Sequence, residues 1–122
     1  MKTLVLIVDD EPDLQEILAW ELENSGAFET VCASSGDQAF EAIQNTEHIA
    51  FIISDVRMRN GSGIDLIKKC KEANLNIPIL LMSGFSDISE QDVIDKGAVG
   101  IVTKPIDIEK LIFRINQQAH AG

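Results

Sequence analysis

Short apolar runs alternate with longer segments of helical period along the whole chain, five times over. The first run is Leu4–Val8, continuous and closed by Asp9-Asp10. A helix follows with Pro12 in its first turn, where the missing N–H costs nothing. Its apolar stripe is Leu14, Ile17, Leu18 and Leu22, and Gly26 ends it. Phe28–Ala33 is a second strand, more polar and so suited to a sheet edge. The helix from about Ser35 turns Ala39, Phe40 and Ile43 inward. Phe51–Ser54 is a third strand that ends at Asp55.

The cluster Asn60-Gly61-Ser62-Gly63 is a turn, and the third helix follows it. Ile64, Ile67 and Cys70 form its stripe, with Leu66 at the margin and Lys68 and Lys69 facing water. Pro78–Met82 is a fourth, continuously apolar strand. A weaker helix over Ile88–Lys96 stops at Gly97. Gly100–Thr103 is a fifth strand, followed by Lys104-Pro105. Asp107 caps a last helix with stripe Ile108, Leu111, Ile112, Ile115 and Ala119.

Continuously apolar strands separated by helices imply a parallel sheet covered on both faces. Right-handed crossovers reduce the topologies to a few doubly wound ones. The flavodoxin-like α/β fold, a five-stranded sheet of order 2-1-3-4-5, is the expected form. Ligands of such sheets bind where the strand order reverses, beyond the carboxyl ends of strands 1 and 3.

Those ends carry Asp9, Asp10 and Asp55. Carboxylates about 5 Å apart repel by roughly 3 kcal/mol per pair at an effective dielectric of about 20. A hard divalent cation with oxygen ligands relieves this, and Mg2+ suits the set because it also coordinates phosphate oxygens. Strand 4 ends at Ser83-Gly84 and strand 5 at Thr103-Lys104-Pro105, on the same sheet edge. Lys104 offers an ammonium to a phosphate, and the Ser83 hydroxyl offers a donor. Nucleophilic carboxylate, metal, lysine and hydroxyl together are the parts of a phosphoryl-transfer site. The bland alternative makes each of these residues a cap, a turn former or a solvated lysine. It is adequate for any one of them and poor for all of them at one edge.

Val8-Asp9-Asp10-Glu11-Pro12, Asp55-Val56-Arg57-Met58 through Gly63, Met82-Ser83-Gly84 and Thr103-Lys104-Pro105 resemble, in order and spacing, the receiver domains of two-component response regulators. The resemblance covers residues 1–122 as one receiver domain. It implies a signalling domain rather than an enzyme, with Asp55 as phosphoacceptor. Asp9 and Asp10 would bind Mg2+ (or Mn2+) directly or through water, together with Asp55 and the backbone carbonyl of Arg57. Lys104 and Ser83 would contact the phosphoryl group, and Lys104–Pro105 would be cis. The donor would be a phosphohistidine on a sensor histidine kinase or a phosphotransfer protein. Output would pass to a further domain or a homodimer through helix 4, strand 5 and helix 5. Stand-alone and excised receivers both fit. A pseudo-receiver acting as a phosphorylation-independent interaction module is the alternative.

Two positions depart from the family pattern. Arg59 stands where Pro is usual, so the loop after Asp55 is expected to be more mobile. Ile101 stands where an aromatic residue usually couples to the serine; the chain has no Tyr. Signalling is then expected to rely on backbone shifts around helix 4.

Other classes fit less well. A haloacid-dehalogenase-like phosphatase would carry its aspartate after strand 1, and a flavodoxin needs hydroxyls where Asp9-Asp10-Glu11 would repel a flavin phosphate. The net charge of −10 opposes binding to nucleic acid or an anionic membrane. Cys32 and Cys70 have neither disulfide nor zinc spacing, which suits a cytoplasmic protein. No run reaches the roughly 18 apolar residues of a membrane span. Trp20 lies roughly 130° from the stripe of the first helix at about 100° per residue, as a partner anchor or a lid over helix stems. Phe113 is similarly placed on the last helix. Phe85 is a candidate cover for the phosphoryl pocket, and His48 and His120 are expected at the surface.

Overall fold

The computed structural model describes residues 2–58, 62–84 and 88–119. Arg59, Asn60, Gly61, Phe85 and His120 lie outside them, and with them the readings made of those positions. The chain order is β1 (Thr3–Val8), α1 (Pro12–Asn24), β2 (Phe28–Ala33), α2 (Gly36–Asn45), β3 (Ile49–Asp55), α3 (Gly63–Glu72), β4 (Ile79–Ser83), α4 (Glu90–Lys96), β5 (Gly100–Thr103) and α5 (Ile108–Ala119). All pairings are parallel, in the order β2-β1-β3-β4-β5. This is the doubly wound sheet that the pattern predicts, with β2 at one edge.

Side chains of a strand alternate between faces, so each central strand feeds two cores. Leu6 and Val8 of β1 and Ile52 of β3 join Ala39, Ile43, Leu66, Ile67, Cys70 and Val93 from α2, α3 and α4. Val5, Ile7, Phe51 and Ile53 face the other way and pack with Leu18, Leu22, Leu111 and Ile115 from α1 and α5. Caps fix where several helices begin. Ser35, Ser62 and Ser89 each accept a hydrogen bond from the backbone three residues on, and Ser62 forms a reciprocal capping box with Asp65. The Asp107 carboxylate accepts from the N–H groups of Glu109 (3.0 Å) and Lys110 (3.3 Å). Gly97 closes α4 at φ 113°, where a side chain would be strained.

Three readings of helix faces need correction. Ile17 is 55% exposed, because the buried arc of α1 is narrow and centres on Leu18 between Leu14 and Leu22. Leu66 is fully buried rather than marginal, and Ile64 is only half-buried. The inner arc of α3 is rotated by about 50°, at 100° per residue, from the predicted stripe. The cause lies at its first residue, Gly63, which is buried against β3. Lys69 does not simply face water: it pairs with Asp37 of α2 and sits 6.0 Å from the centre of the Phe40 ring. Trp20 and Phe113 are 65% and 63% exposed, off the stripes as expected.

Leu66→Ala is expected to cost about 2–5 kcal/mol of stability, whereas Ile17→Ala should stay within about 0.5 kcal/mol. Urea unfolding of the two variants beside the parent checks this; equal effects would contradict the rotated α3 face.

Candidate functional site

The carboxyl ends of β1, β3, β4 and β5 converge on one cleft of about 230 Å³, lined by Asp10, Glu11, Asp55, Val56, Arg57, Ser83, Gly84 and Lys104. That is smaller than the roughly 300–1,000 Å³ pockets that hold drug-sized ligands. Its scale suits small ions rather than a flavin.

Asp9 is fully buried and Asp55 nearly so, and buried charges need partners. Lys104 supplies one to both: its Nζ lies 3.2 Å from Asp9 Oδ2 and 3.1 Å from Asp55 Oδ2. The other Asp9 oxygen, Oδ1, accepts from the Glu11 N–H at 2.8 Å. Asp55 Oδ1 faces the Arg57 N–H at 3.4 Å. Asp9, Asp10 and Asp55 each offer an oxygen within 4.8 Å of the others. Asp10 and Asp55 line the cleft, whereas Asp9 is fully buried and pairs with Lys104.

Burial pushes the Asp55 carboxyl above the ordinary carboxylate range, and the negative Asp9 adds to this; the hydrogen bond and charge of Lys104 only partly offset it. Burial alone would lower the Lys104 pKa, but its contacts with Asp55 and Asp9 outweigh that and raise it. The ammonium is therefore charged throughout the physiological range, and Asp9, Asp10 and Asp55 bring three carboxylates together beside it. Such a cluster of carboxylate oxygens fits a hard divalent cation.

The frame of the cleft is backbone-made. The Lys104 N–H donates to the Ser83 carbonyl at 2.8 Å, joining the ends of β4 and β5, and the Val56 N–H donates to the Met82 carbonyl at 2.9 Å. The Lys104–Pro105 bond is cis. Ser83 is buried at the end of β4 and lines the cleft. Ile101 is half-buried in β5 and packs against the α2–α4 core.

Three supports of the site are not singled out by sequence reasoning. The Gln15 amide nitrogen donates to the carbonyls of Asp9 and Ala33 and to the Ser34 hydroxyl, tying α1 to the ends of β1 and β2. The Ser54 hydroxyl donates to the Asp55 carbonyl at 3.0 Å. A Cβ on Gly63 would sit 2.6 Å from that same carbonyl, so only glycine lets α3 start there. The only signal of this last support is a glycine at the head of a helix.

His48 is exposed with φ 67°, its ring 3.7 Å from Glu47. Cys32 is exposed and Cys70 buried, both free. Among the described residues no helix is long and apolar enough to cross a membrane.

Residues 5–116 match the family model of the response regulator receiver domain. The heme response regulator HssR of Staphylococcus saprophyticus is 33% identical over 93% of this chain, which covers 50% of that protein. Among solved structures, a response regulator receiver protein from Pseudomonas putida is 33% identical, with a TM-score of 0.85 and coverage of 96% of this chain and 98% of that one. The Francisella response regulator 1452 receiver domain is 27% identical, with a TM-score of 0.87 and 98% of both chains covered. The chain thus spans about half the length, or less, of the first curated relatives it matches. A matched family model over nearly the whole chain, and a strand-end cleft of three carboxylates and a lysine, together make this chain a member of the response regulator receiver domain family.

Proposed function

We propose that Asp55 accepts a phosphoryl group from a phosphohistidine donor in a Mg2+-dependent reaction, and that the change alters partner binding. The observation that carries this reading is the Lys104 ammonium between Asp9 and Asp55, residues 95 and 49 positions away in the chain, at the mouth of a small acidic cleft. An Asp55 carboxylate oxygen attacks phosphorus as the P–N bond of the donor breaks, and the imidazole leaves and takes up a proton. Lys104 turns from the carboxylates to the transferred group and offsets its charge. The Ser83 hydroxyl donates to another phosphoryl oxygen. Asp9, Asp10, Asp55 and the Arg57 carbonyl would hold the metal, directly or through water. The metal, when bound, supplies charge neutralisation at the transferring oxygens.

The outer surface of α1 is the partner face on this reading. Ile17 and Trp20 stand exposed on a helix that carries Asp13, Glu16, Glu21 and Glu23 and no basic residue. Such a surface favours a partner with apolar and basic side chains, here the kinase or phosphotransfer module.

Incubation with acetyl phosphate and Mg2+ should add one phosphoryl mass, lost in Asp55→Asn and with chelator. No gain from acetyl phosphate or from a kinase donor would leave a phosphorylation-independent interaction module. Trp20→Ala should slow transfer from a cognate histidine donor about tenfold, the cost of one interface anchor, and leave acetyl phosphate labelling unchanged. Equal slowing with both donors would remove α1 as the partner face.

The raised pKa of Asp55 also has a sign in stability. The unfolded chain ionises this group at a lower pH than the folded chain does, so ionisation costs stability above the ordinary carboxylate range. In chelator, Asp55→Asn should therefore melt higher than the parent at pH 7. The gain should shrink as pH falls through the folded and then the ordinary carboxylate pKa. A gain that grows on acidification would contradict the assignment.

A further inference from the structure

Away from the cleft, α4, β5 and α5 are joined at the far sheet edge by one polar cluster. Glu90, the first residue of α4, accepts from Arg114 Nη2 of α5 at 3.1 Å and faces the Ile101 N–H of β5 at 3.4 Å, all through Oε2. The pairing with Arg114 holds the Glu90 carboxyl below the ordinary range, helped by the Ile101 N–H. Gly100 leaves room for the guanidinium: a Cβ there would lie 2.2 Å from Arg114 Nη1 and 3.2 Å from Glu90 Oε2. Edge strands expose unpaired N–H groups, and here a carboxylate meets one.

Both strands that feed this clasp also end in the cleft. Ser83 lies seven residues before Glu90, and Lys104 lies three residues after Ile101. Their ends are tied by the Lys104 N–H to Ser83 carbonyl bond of 2.8 Å. A shift of Lys104 from Asp9 and Asp55 toward a phosphoryl group would be carried along β5 to Ile101 and the clasp.

We infer that Glu90 and Arg114 are positioning residues that hold the chain in its unloaded form, so that their contact opposes occupation of the phosphoryl pocket. The inference rests on the phosphoacceptor reading and adds its regulation. An interaction made in one state and lost in another biases the equilibrium by its own strength. An exposed ion pair is worth a factor of about two to five.

The test uses the chain with Mg2+ and beryllofluoride, a phosphoryl mimic, titrated by fluorescence of Trp20. Glu90→Gln and Arg114→Met should each bind it about two- to fivefold more tightly, and the double variant should be no tighter than the stronger single one. Gly100→Ala, which displaces the guanidinium and removes no charge, should act in the same direction. Amide exchange at Ile101 should quicken in Glu90→Gln, a readout inside the clasp itself. Thermal melts establish that each variant is folded; if one fails to fold, binding by the other two decides. Parent-like or weaker binding in the folded variants overturns the clasp. A parent chain that binds no beryllofluoride overturns the phosphoacceptor reading, and the clasp falls with it.

Discussion

The bridge from Lys104 to Asp9 and Asp55 sets the terms for the rest of the structure. Each contact, near 3 Å, is worth about 5 kcal/mol of Coulomb attraction at an effective dielectric of about 20. Removing each ion from water costs several kcal/mol in return. The two sums are of similar size, so the ammonium is held by a near balance rather than by a deep well. Three strands must end in register for the bridge to form, and two cores must hold them there. Sheet order and helix packing both serve that convergence.

Much of this is legible in the chain. Continuous apolar runs mark the strands because a sheet covered on both faces has no solvent side. The acids and the lysine are legible because they punctuate those runs at their carboxyl ends. What stays hidden depends on relationships between elements. The period of α3 alone misplaces Leu66, because the rotation of that helix is set by Gly63 against the Asp55 carbonyl. Spacing also puts Ile17 on the inner side of α1, since it does not report how wide an arc the neighbours of a helix cover. Gln15 lies beside the inner stripe, and only the meeting of β1 and β2 reveals the acceptors it reaches. The contact of Glu90 with Arg114 spans 24 residues and has no local signature.

The exposed groups fall in two places. Ile17 and Trp20 sit on α1 among acids, on the side of the sheet shared with α5. The Glu90–Arg114 contact closes the opposite edge, where β5 has only one strand neighbour.

Gly63 has a mechanical consequence. Its N–H donates to the Val56 carbonyl at 3.1 Å, and its backbone leaves no room for a methyl group beside Asp55. The head of α3 is thus seated on the end of β3 beside Asp55. A displacement that starts at Asp55 finds no slack in that direction. β5, which has no direct pairing with β3, is linked to Asp55 through the Lys104 ammonium, and that contact can yield instead.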